Sequence, residues 1–190
     1  MSTLQVVPAD ALRTQAWANG AGTTTVIASG PDDTNWQWRL SIAEITQDCV
    51  FSPYTHTRRQ LVALDAPLQL RFDDGRDVSL LRLSATHFDG ADTPHASLPN
   101  GPTRAFNLML RGTAEGELIA RPLNGSMWLP LRERWRWFVH LLGGHAEVQA
   151  GDERIDMDAG SNLWIDAQAG ERLRIEGGGE LVLVQLATAI

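Results

Sequence analysis

Arginine is the residue type in this sequence with the clearest capacity for chemistry. All 16 basic residues are arginines, so a Schiff-base lysine and a P-loop lysine are excluded. Arg39 and Ser41 lie two residues apart in an alternating segment, and Arg58 and Arg59 open the apolar segment that follows a short loop. An arginine at the mouth of a small β-barrel can hold a carboxylate through two parallel hydrogen bonds. These positions are therefore candidates for anion binding, with a solvated strand face or a structural salt bridge as the alternative.

The five histidines do not form a metal-binding pattern. They are His56, His87, His95, His140 and His145. No His-x-His pair occurs, and His140 and His145 flank a Gly-Gly dipeptide that predicts a turn between two strands. We therefore expect no metal and no cofactor. His56, which stands beside two arginines, is the one candidate for a general base.

The sequence contains no evident pair of nucleophile and base. Cys49 is the single cysteine, which excludes an intramolecular disulfide and a cysteine-based zinc site. No motif that would activate it lies nearby, so we interpret Cys49 as a buried structural thiol. The G-x-S-x-G pattern of many hydrolases is also absent. We therefore predict no catalytic residue and favour a binding protein over an enzyme.

The overall charge excludes further classes of function. The 190 residues carry a formal net charge of −7, whereas a nucleic-acid-binding protein needs a basic surface. No apolar run reaches the roughly 18 residues that span a bilayer, and residues 1–12 do not resemble a signal peptide. We expect a cytoplasmic protein with neither a nucleic-acid partner nor a membrane partner.

Short β-strands are predicted to position these side chains. Five segments place apolar residues with a period of two, namely 36–42, 68–72, 135–141, 172–175 and 182–186. Turn signals separate such segments and include Asn19-Gly20, Asp73-Asp74-Gly75, Asn124-Gly125, Gly143-Gly144, Gly151-Asp152 and Gly177-Gly178-Gly179. Only residues 9–17 suggest a short helical turn. The pattern predicts an all-β fold, either a sandwich or a barrel.

A weak internal repeat favours two similar β-barrels in tandem. Residues 64–76 can be aligned with residues 142–154, and each segment reads as a strand, an Asp/Gly turn and a strand. A polar stretch from Arg111 to Glu117 is a suitable boundary between the two.

Three ordered stretches resemble the HutD/Ves family of bicupins. Residues 17–24 (WANGAGTT) are similar to the family's W-x-N-G-G-G-x-T. Residues 38–43 (WRLSIA), followed by Phe51-Ser52 and by residues 59–61 (RQL), are similar to R-[IL]-S-x-A, F-S and R-x-L. Residues 88–90 (FDG) and 106–109 (FNLM) are similar to F-x-G and D-F-N-[VL]-M. The order and spacing hold over about residues 1–112.

The resemblance implies a metal-free bicupin of two tandem jelly-roll (double-stranded β-helix) barrels. Residues 1–112 would form an N-terminal cupin barrel with a ligand pocket, and residues 113–190 a C-terminal cupin barrel, with strands exchanged between the two as an open alternative. We expect Trp135, Trp137 and Trp164 to be buried together in the C-terminal core. The expected pocket residues are Arg59 as the carboxylate anchor with Arg39, Ser41, Asn19, Ser52, Asn107 and His56.

The resemblance also implies a function. Family members accompany histidine-degradation genes. We therefore expect a regulatory role through binding of a small carboxylate such as formylglutamate, formiminoglutamate or urocanate. A metal-independent hydrolase or isomerase acting on a similar acid is the alternative, and an interaction module with a vestigial pocket is a third hypothesis. A homodimer is compatible with the sequence.

This sequence departs from the family pattern at four positions near the motifs. Cys49 and His56 replace glycines, while Arg58 and Ala105 replace acidic residues. The loss of acidic residues makes the region more positive, and the loss of a glycine implies a different loop conformation.

Overall fold

The structure is a computed structural model that describes residues 3–166 and 170–187. The regular secondary structure of the described residues is β-strand, apart from one 3-10 turn at Ala9–Ala11. The chain forms two compact units. We call Asp10–Ala114 the N-terminal unit and Met1–Ala9 together with Glu115–Ile190 the C-terminal unit. Across the described ranges, no helix has the length and apolar character needed to cross a membrane.

The N-terminal unit contains ten strands in two sheets. They are β2 (Arg13–Ala16), β3 (Gly22–Gly30), β4 (Trp38–Ile45), β5 (Cys49–Val50), β6 (Thr57–Ala63), β7 (Leu68–Arg71), β8 (Asp77–Leu80), β9 (Ala85–Asp89), β10 (His95–Ser97) and β11 (Thr103–Arg111). One sheet has the order β2-β3-β4-β11-β6-β9, and the other has the order β5-β10-β7-β8. Of the segment 9–17, for which the sequence suggested a short helical turn, Ala9–Ala11 form a 3-10 turn and Arg13–Ala16 form β2.

The core of the N-terminal unit lies between its two sheets. Ala43, Leu61 and Ala105 from the larger sheet pack in one cluster with Leu70 and Ala96 from the smaller sheet. Apolar residues at alternate strand positions face this cluster, as the period of two predicts. The larger sheet therefore presents one face to the interior of the unit.

The C-terminal unit is built from fewer and longer strands. They are β1 (Thr3–Val6), β12 (Gly116–Leu129), β13 (Trp135–Ala150), β14 (Glu153–Asp158), β15 (Asn162–Asp166) and β16 (Leu173–Ala187). The sheet order is β1-β15-β13-β16-β12, and β14 pairs with β13. Because β1 pairs with β15, the first strand of the chain lies in the C-terminal unit.

Three of the predicted turn signals lie inside long strands, and the prediction of turns there was wrong. Asn124-Gly125 lies in β12, Gly143-Gly144 in β13 and Gly177-Gly178-Gly179 in β16. These residues face one another across the sheet, and we call them the glycine seam. Residues on both sides of the seam, such as Leu141 and Val148 in β13, belong to one core cluster. The glycines therefore let long strands change direction around a core without interruption.

The glycine seam also places two histidines differently from the prediction. His140 and His145 lie on the same strand, β13, and not on two strands of a hairpin. The pairing of β13 with β16 shifts register between Leu141 and Gly143, which marks a β-bulge between the two histidines.

The predicted tryptophan core is only partly correct. Trp137 belongs to the C-terminal core, whereas Trp135 is half-buried. Trp164 is buried but stands opposite Phe138 in the ladder, one residue out of phase with Trp137. Since neighbouring residues in a strand point to opposite faces, Trp137 and Trp164 occupy different faces of the sheet.

Candidate ligand-binding site

The N-terminal unit contains a cavity of about 340 Å³ at one end of its larger sheet. This volume is within the range of small-molecule sites. Six of the seven residues predicted for the pocket line it, namely Arg59, Arg39, Ser41, Asn19, Ser52 and Asn107. The strand pairing shows why residues far apart in sequence meet there.

The inner face of the larger sheet changes from charged to apolar over three rows of paired residues. The first row is Arg39 on β4, Met109 on β11 and Arg59 on β6. The second row is Ser41, Asn107 and Leu61, and the third is Ala43, Ala105 and Ala63. The first row and the polar residues of the second row line the cavity. The third row belongs to the apolar core cluster of the N-terminal unit. The same strands thus carry the site at one end and the core at the other.

Arg59 is the most deeply buried charge of the cavity, with 6% of its surface exposed. One of its terminal nitrogens donates a hydrogen bond of 3.0 Å to the side-chain oxygen of Asn107. Among the described residues, its Nε and other terminal nitrogen have no hydrogen-bond partner. Burial lowers the pKa of Arg59 to about 10, so the guanidinium keeps its charge at neutral pH.

Three aromatic rings surround the Arg59 guanidinium, and we call them the aromatic collar. Its carbon lies 4.9 Å from the ring centre of Phe88, 5.4 Å from that of Phe51 and 5.5 Å from that of Tyr54. Cation–π contacts of this kind stabilise a charge that has lost its water. The collar therefore holds Arg59 charged and in place without an acidic partner.

A glycine positions the loop that carries Tyr54. Gly90 donates a backbone hydrogen bond to the carbonyl of Thr57 and accepts one from Tyr54. A Cβ atom at Gly90 would lie 2.4 Å from the Tyr54 carbonyl oxygen and 2.6 Å from that of Thr57. Only glycine permits this approach, which explains the glycine of the F-x-G motif.

The loop from Trp17 to Gly22 forms another wall of the cavity. The Trp17 indole N–H donates to the Thr24 hydroxyl at 2.7 Å, and both residues line the cavity. The Asn19 side-chain oxygen accepts a hydrogen bond from the Ala21 backbone N–H, closing the turn before β3. Asn19 is exposed at the cavity, so its amide group is within reach of solvent.

Arg39 is held beside the cavity by a tryptophan. Its guanidinium carbon lies 6.0 Å from the ring centre of Trp36, and Arg111 stacks on the same ring at 3.5 Å. The Nε of Arg39 is buried and has no hydrogen-bond partner in the part of the chain that the structure describes. Arg39 is thus a second cation of the cavity with an unused donor.

The neighbouring residues Arg58 and Arg59 have different environments. Arg58 is exposed and donates to the carbonyl oxygens of Gly112 and Ala114. Arg59 lines the cavity. Alternate side chains of a strand point to opposite faces, so this difference follows from their adjacency in β6.

His56, which was predicted as a pocket residue, does not line the cavity. It is an exposed residue of the turn before β6, and its φ angle is 56°. In this left-handed conformation the chain turns between Tyr54 and Thr57, so Tyr54 lines the cavity and His56 does not. With His56 outside, the cavity lining in the described residues contains no histidine, cysteine, aspartate or glutamate.

Comparison with known proteins identifies the family. The HutD family model matches residues 9–183 of this chain. The chain belongs to the HutD family. A curated relative, an uncharacterised 21.2 kDa protein in the hutC 3′ region of Pseudomonas putida, is 33% identical over 112 residues. That match covers 57% of this chain and 59% of the relative, so it spans less than two thirds of that protein.

Solved structures of similar chains share the fold. HutD from Pseudomonas fluorescens SBW25 has a TM-score of 0.78 at 23% identity and covers 99% of this chain and 100% of its own. A conserved protein of unknown function from Pseudomonas aeruginosa PAO1 has a TM-score of 0.88 at 22% identity, over 98% of this chain and 100% of its own. Cupin-fold proteins are among the other solved structures with this arrangement of strands, so the fold is all-β and cupin-like.

The HutD-family motifs contain three aromatic residues of the site that were not among the predicted pocket residues. Trp17 belongs to the first motif, Phe51 to the F-S motif and Phe88 to the F-x-G motif. Each contacts the site: Trp17 and Phe51 pack edge to face at 6.5 Å, and Phe51 and Phe88 belong to the aromatic collar. Their membership of the motifs was the available signal. Tyr54 lies outside these motifs.

The Cys49 thiol and the possible metal ligands are further candidate sites of chemistry. Burial, with a smaller contribution from Asp48, raises the pKa of the Cys49 thiol, which disfavours the reactive thiolate. No group of three or more His, Cys, Asp or Glu side chains suited to a metal ion occurs within residues 3–166 and 170–187.

Proposed function

We propose that this HutD-family protein is a bicupin that binds a small carboxylate in the N-terminal unit, and that it acts in histidine utilisation as a regulatory binding protein in the cytoplasm. The family association and the cupin-like fold support a role in histidine utilisation. Two compact units, each with its own apolar cluster, support two tandem barrels. The ligand and the role rest on the cavity.

The observation that carries the proposal is a buried arginine with unused donors at a cavity. Arg59 is charged at neutral pH, is nearly excluded from bulk water and forms no ion pair among the described residues. Leaving a buried charge unpaired is costly, so such a group is matched by a counter-charge in the functional state. A carboxylate satisfies a guanidinium with two parallel hydrogen bonds. The Asn107 contact engages one terminal nitrogen and leaves Nε and the other terminal nitrogen without a partner among the described residues.

The remaining lining suits the neutral part of such a ligand. Ser41 and Asn107 stand opposite each other in the ladder and offer hydroxyl and amide groups. Met109, Phe51 and Tyr54 supply apolar surface. Formylglutamate and formiminoglutamate carry two carboxylates and urocanate carries one, each together with a small polar group, and all three fit this combination of surfaces. The HutD structure from Pseudomonas fluorescens is of a formate condition, and formate is the simplest carboxylate.

The enzyme alternative receives no specific support. His56, the one residue proposed as a general base, lies outside the cavity. The thiol of Cys49 is buried with a raised pKa. A binding role needs only the recognition groups described above.

Isothermal titration with formylglutamate, formiminoglutamate and urocanate tests the proposal. At least one should bind the wild-type protein, and its amide analogue should not. Arg59→Ala should weaken binding by about 10- to 150-fold, because a charge-assisted pair contributes about 1.5–3 kcal/mol. Arg59→Lys should recover only part of this loss, because an ammonium cannot form the planar fork.

Arg58→Ala is the matched control, since it removes an adjacent arginine that binds backbone carbonyls. We expect it to weaken binding by less than about threefold through screened long-range attraction. Equal losses for Arg58→Ala and Arg59→Ala would contradict the assignment of Arg59, and failure of all three acids to bind would contradict the function itself.

A further inference from the structure

A second arginine lies in the same row as Arg59. In the larger sheet of the N-terminal unit, Met109 pairs with Arg39 on one side and with Arg59 on the other. Residues in one row share a face, and strands two positions apart are separated by about 10 Å. Both arginines line the cavity, with the apolar side chain of Met109 between them.

The two cations have no acidic partner in the cavity. Among the described residues, neither Arg39 nor Arg59 forms an ion pair, and the cavity lining contains no carboxylate. Asp33 is near enough for Arg39 to contribute to the low pKa of its carboxyl group, after larger contributions from Ser29 and Arg13. That carboxylate accepts hydrogen bonds from Ser29 and Arg13, so it is engaged outside the cavity.

Each arginine is oriented by its own aromatic surface. The aromatic collar surrounds Arg59, whereas Arg39 lies beside Trp36, whose ring is in turn held by Arg111. Both have a buried Nε without a hydrogen-bond partner in the described chain. Two oriented cations with unused donors are a preorganised site for two anionic groups, and one carboxylate satisfies only one of them.

We propose that the cavity binds a molecule with two carboxylates, one held by Arg59 and the other by Arg39. Arginine side chains on strands about 10 Å apart can be bridged by a short dicarboxylate, so the probes have chains of four to six carbons. Arg39 then determines specificity by selecting dicarboxylates over monocarboxylates of the same size. This inference rests on the proposed carboxylate site at Arg59 and names the class of ligand for it.

Paired titrations separate this inference from the proposed function. The probes are succinate, glutarate and adipate, each compared with its monoamide, which has nearly the same size and one charge fewer. In the wild type, the best dicarboxylate should bind about 10- to 100-fold more tightly than its monoamide, as one charge-assisted hydrogen-bonded contact provides. In Arg39→Gln this preference should fall to less than about threefold through loss of dicarboxylate affinity, while monoamide affinity changes little.

Arg58→Gln is the control, because it removes one charge outside the cavity and should keep the preference. Arg39→Lys keeps the positive charge but lacks the planar guanidinium, so a folded variant should retain part of the preference for the dicarboxylate. If wild type and Arg39→Gln bind diacid and monoamide equally well, the two-carboxylate inference fails and the Arg59 site stands. If none of the probes binds wild type more tightly than about 10 mM, the two-carboxylate inference fails, and the proposed function is decided by the titrations with formylglutamate, formiminoglutamate and urocanate.

Discussion

The two units differ most clearly in the rows of residues that line their interiors. In the N-terminal unit the first row is Arg39, Met109 and Arg59, and a cavity borders it. In the C-terminal unit the row through Trp137 pairs that residue with Ile165 on β15 and with Gln185 on β16. The Trp137 indole N–H donates to the Pro130 carbonyl oxygen at 2.9 Å. One sheet thus ends in charged residues that border a cavity. The other ends in a packed row in which the Trp137 indole N–H is satisfied, although the side-chain nitrogen of Gln185 is buried without a partner among the described residues.

The next row shows the same contrast. Val139 pairs with Leu163 and Leu183, and all three are almost fully buried in the C-terminal core. Its counterpart in the N-terminal unit contains Ser41 and Asn107. A row of branched apolar side chains stabilises a fold, whereas polar groups at a cavity leave interactions for a ligand to complete. The comparison indicates that binding capacity in the N-terminal unit costs local stability.

The largest effect on stability is expected when a polar side chain replaces a buried apolar one in the C-terminal row. Val139→Asn removes a buried branched side chain and buries an amide, so it should lower the free energy of unfolding by about 3–5 kcal/mol. Urea unfolding followed by tryptophan fluorescence measures the change. Asn107→Val is the reverse substitution, and it should lower the free energy of unfolding by a smaller amount, about 1–3 kcal/mol, because it removes the hydrogen bond to the buried Arg59 guanidinium. Similar losses for both variants would show that the two rows are energetically alike.

The second comparison concerns how the strands change direction. Gly144 has a φ angle of +90°, and a Cβ atom there would lie 1.9 Å from the Gly178 carbonyl oxygen across the glycine seam. Gly144→Ala should therefore destabilise the protein by about 2–3 kcal/mol, through backbone strain and a forced shift of β16. Gly143→Ala is a matched control, because no atom lies within 4 Å of its Cβ position. If Gly143→Ala destabilises the protein as much as Gly144→Ala does, the close approach across the glycine seam is not the reason for glycine at position 144.

The third prediction measures the stability cost of the site. Burial lowers the pKa of Arg59 to about 10, so folding is disfavoured by this charge throughout the range below pH 10, and the penalty declines as the pH rises further. Arg59→Met keeps much of the packing volume without the charge. It should stabilise the unliganded protein by about 1–2 kcal/mol, or about 2–8 °C in thermal unfolding. Arg58→Met should give no such gain, and a less stable Arg59→Met variant would mean that the aromatic collar fully compensates the charge.

The smallest effect is expected at the turn beside the site. His56 adopts a φ angle of 56°, which glycine tolerates better than histidine. His56→Gly should relieve this strain for a net gain of about 0.5 kcal/mol, because glycine also loses more entropy on folding. Since His56 is outside the cavity, ligand affinity should change by less than about twofold. His56→Ala keeps the strained backbone and should give no gain. Weaker ligand binding by His56→Gly would show that His56 contributes to the site.

Local sequence patterns predicted the parts of the fold that depend on neighbouring residues. The alternation around Leu68 and Leu70 predicted β7, and the turn at Gly75 predicted its hairpin with β8. The adjacency of Arg58 and Arg59 implied that only one of them faces the cavity, and the strand places them on opposite faces. These features follow from the period of two and from turn chemistry, which are properties of short segments.

Tertiary structure decided the features in which several strands take part. Gly143-Gly144 has the composition of a turn, and only its pairing with β16 makes it a bend within a strand. A glycine with positive φ serves both purposes, so the local sequence cannot distinguish them. The site has the same origin. Arg39, Met109 and Arg59 form one row because of the register of β4, β11 and β6, which depends on the whole packed sheet. The sequence determined which arginines could bind an anion, and strand register determined that two of them border one cavity.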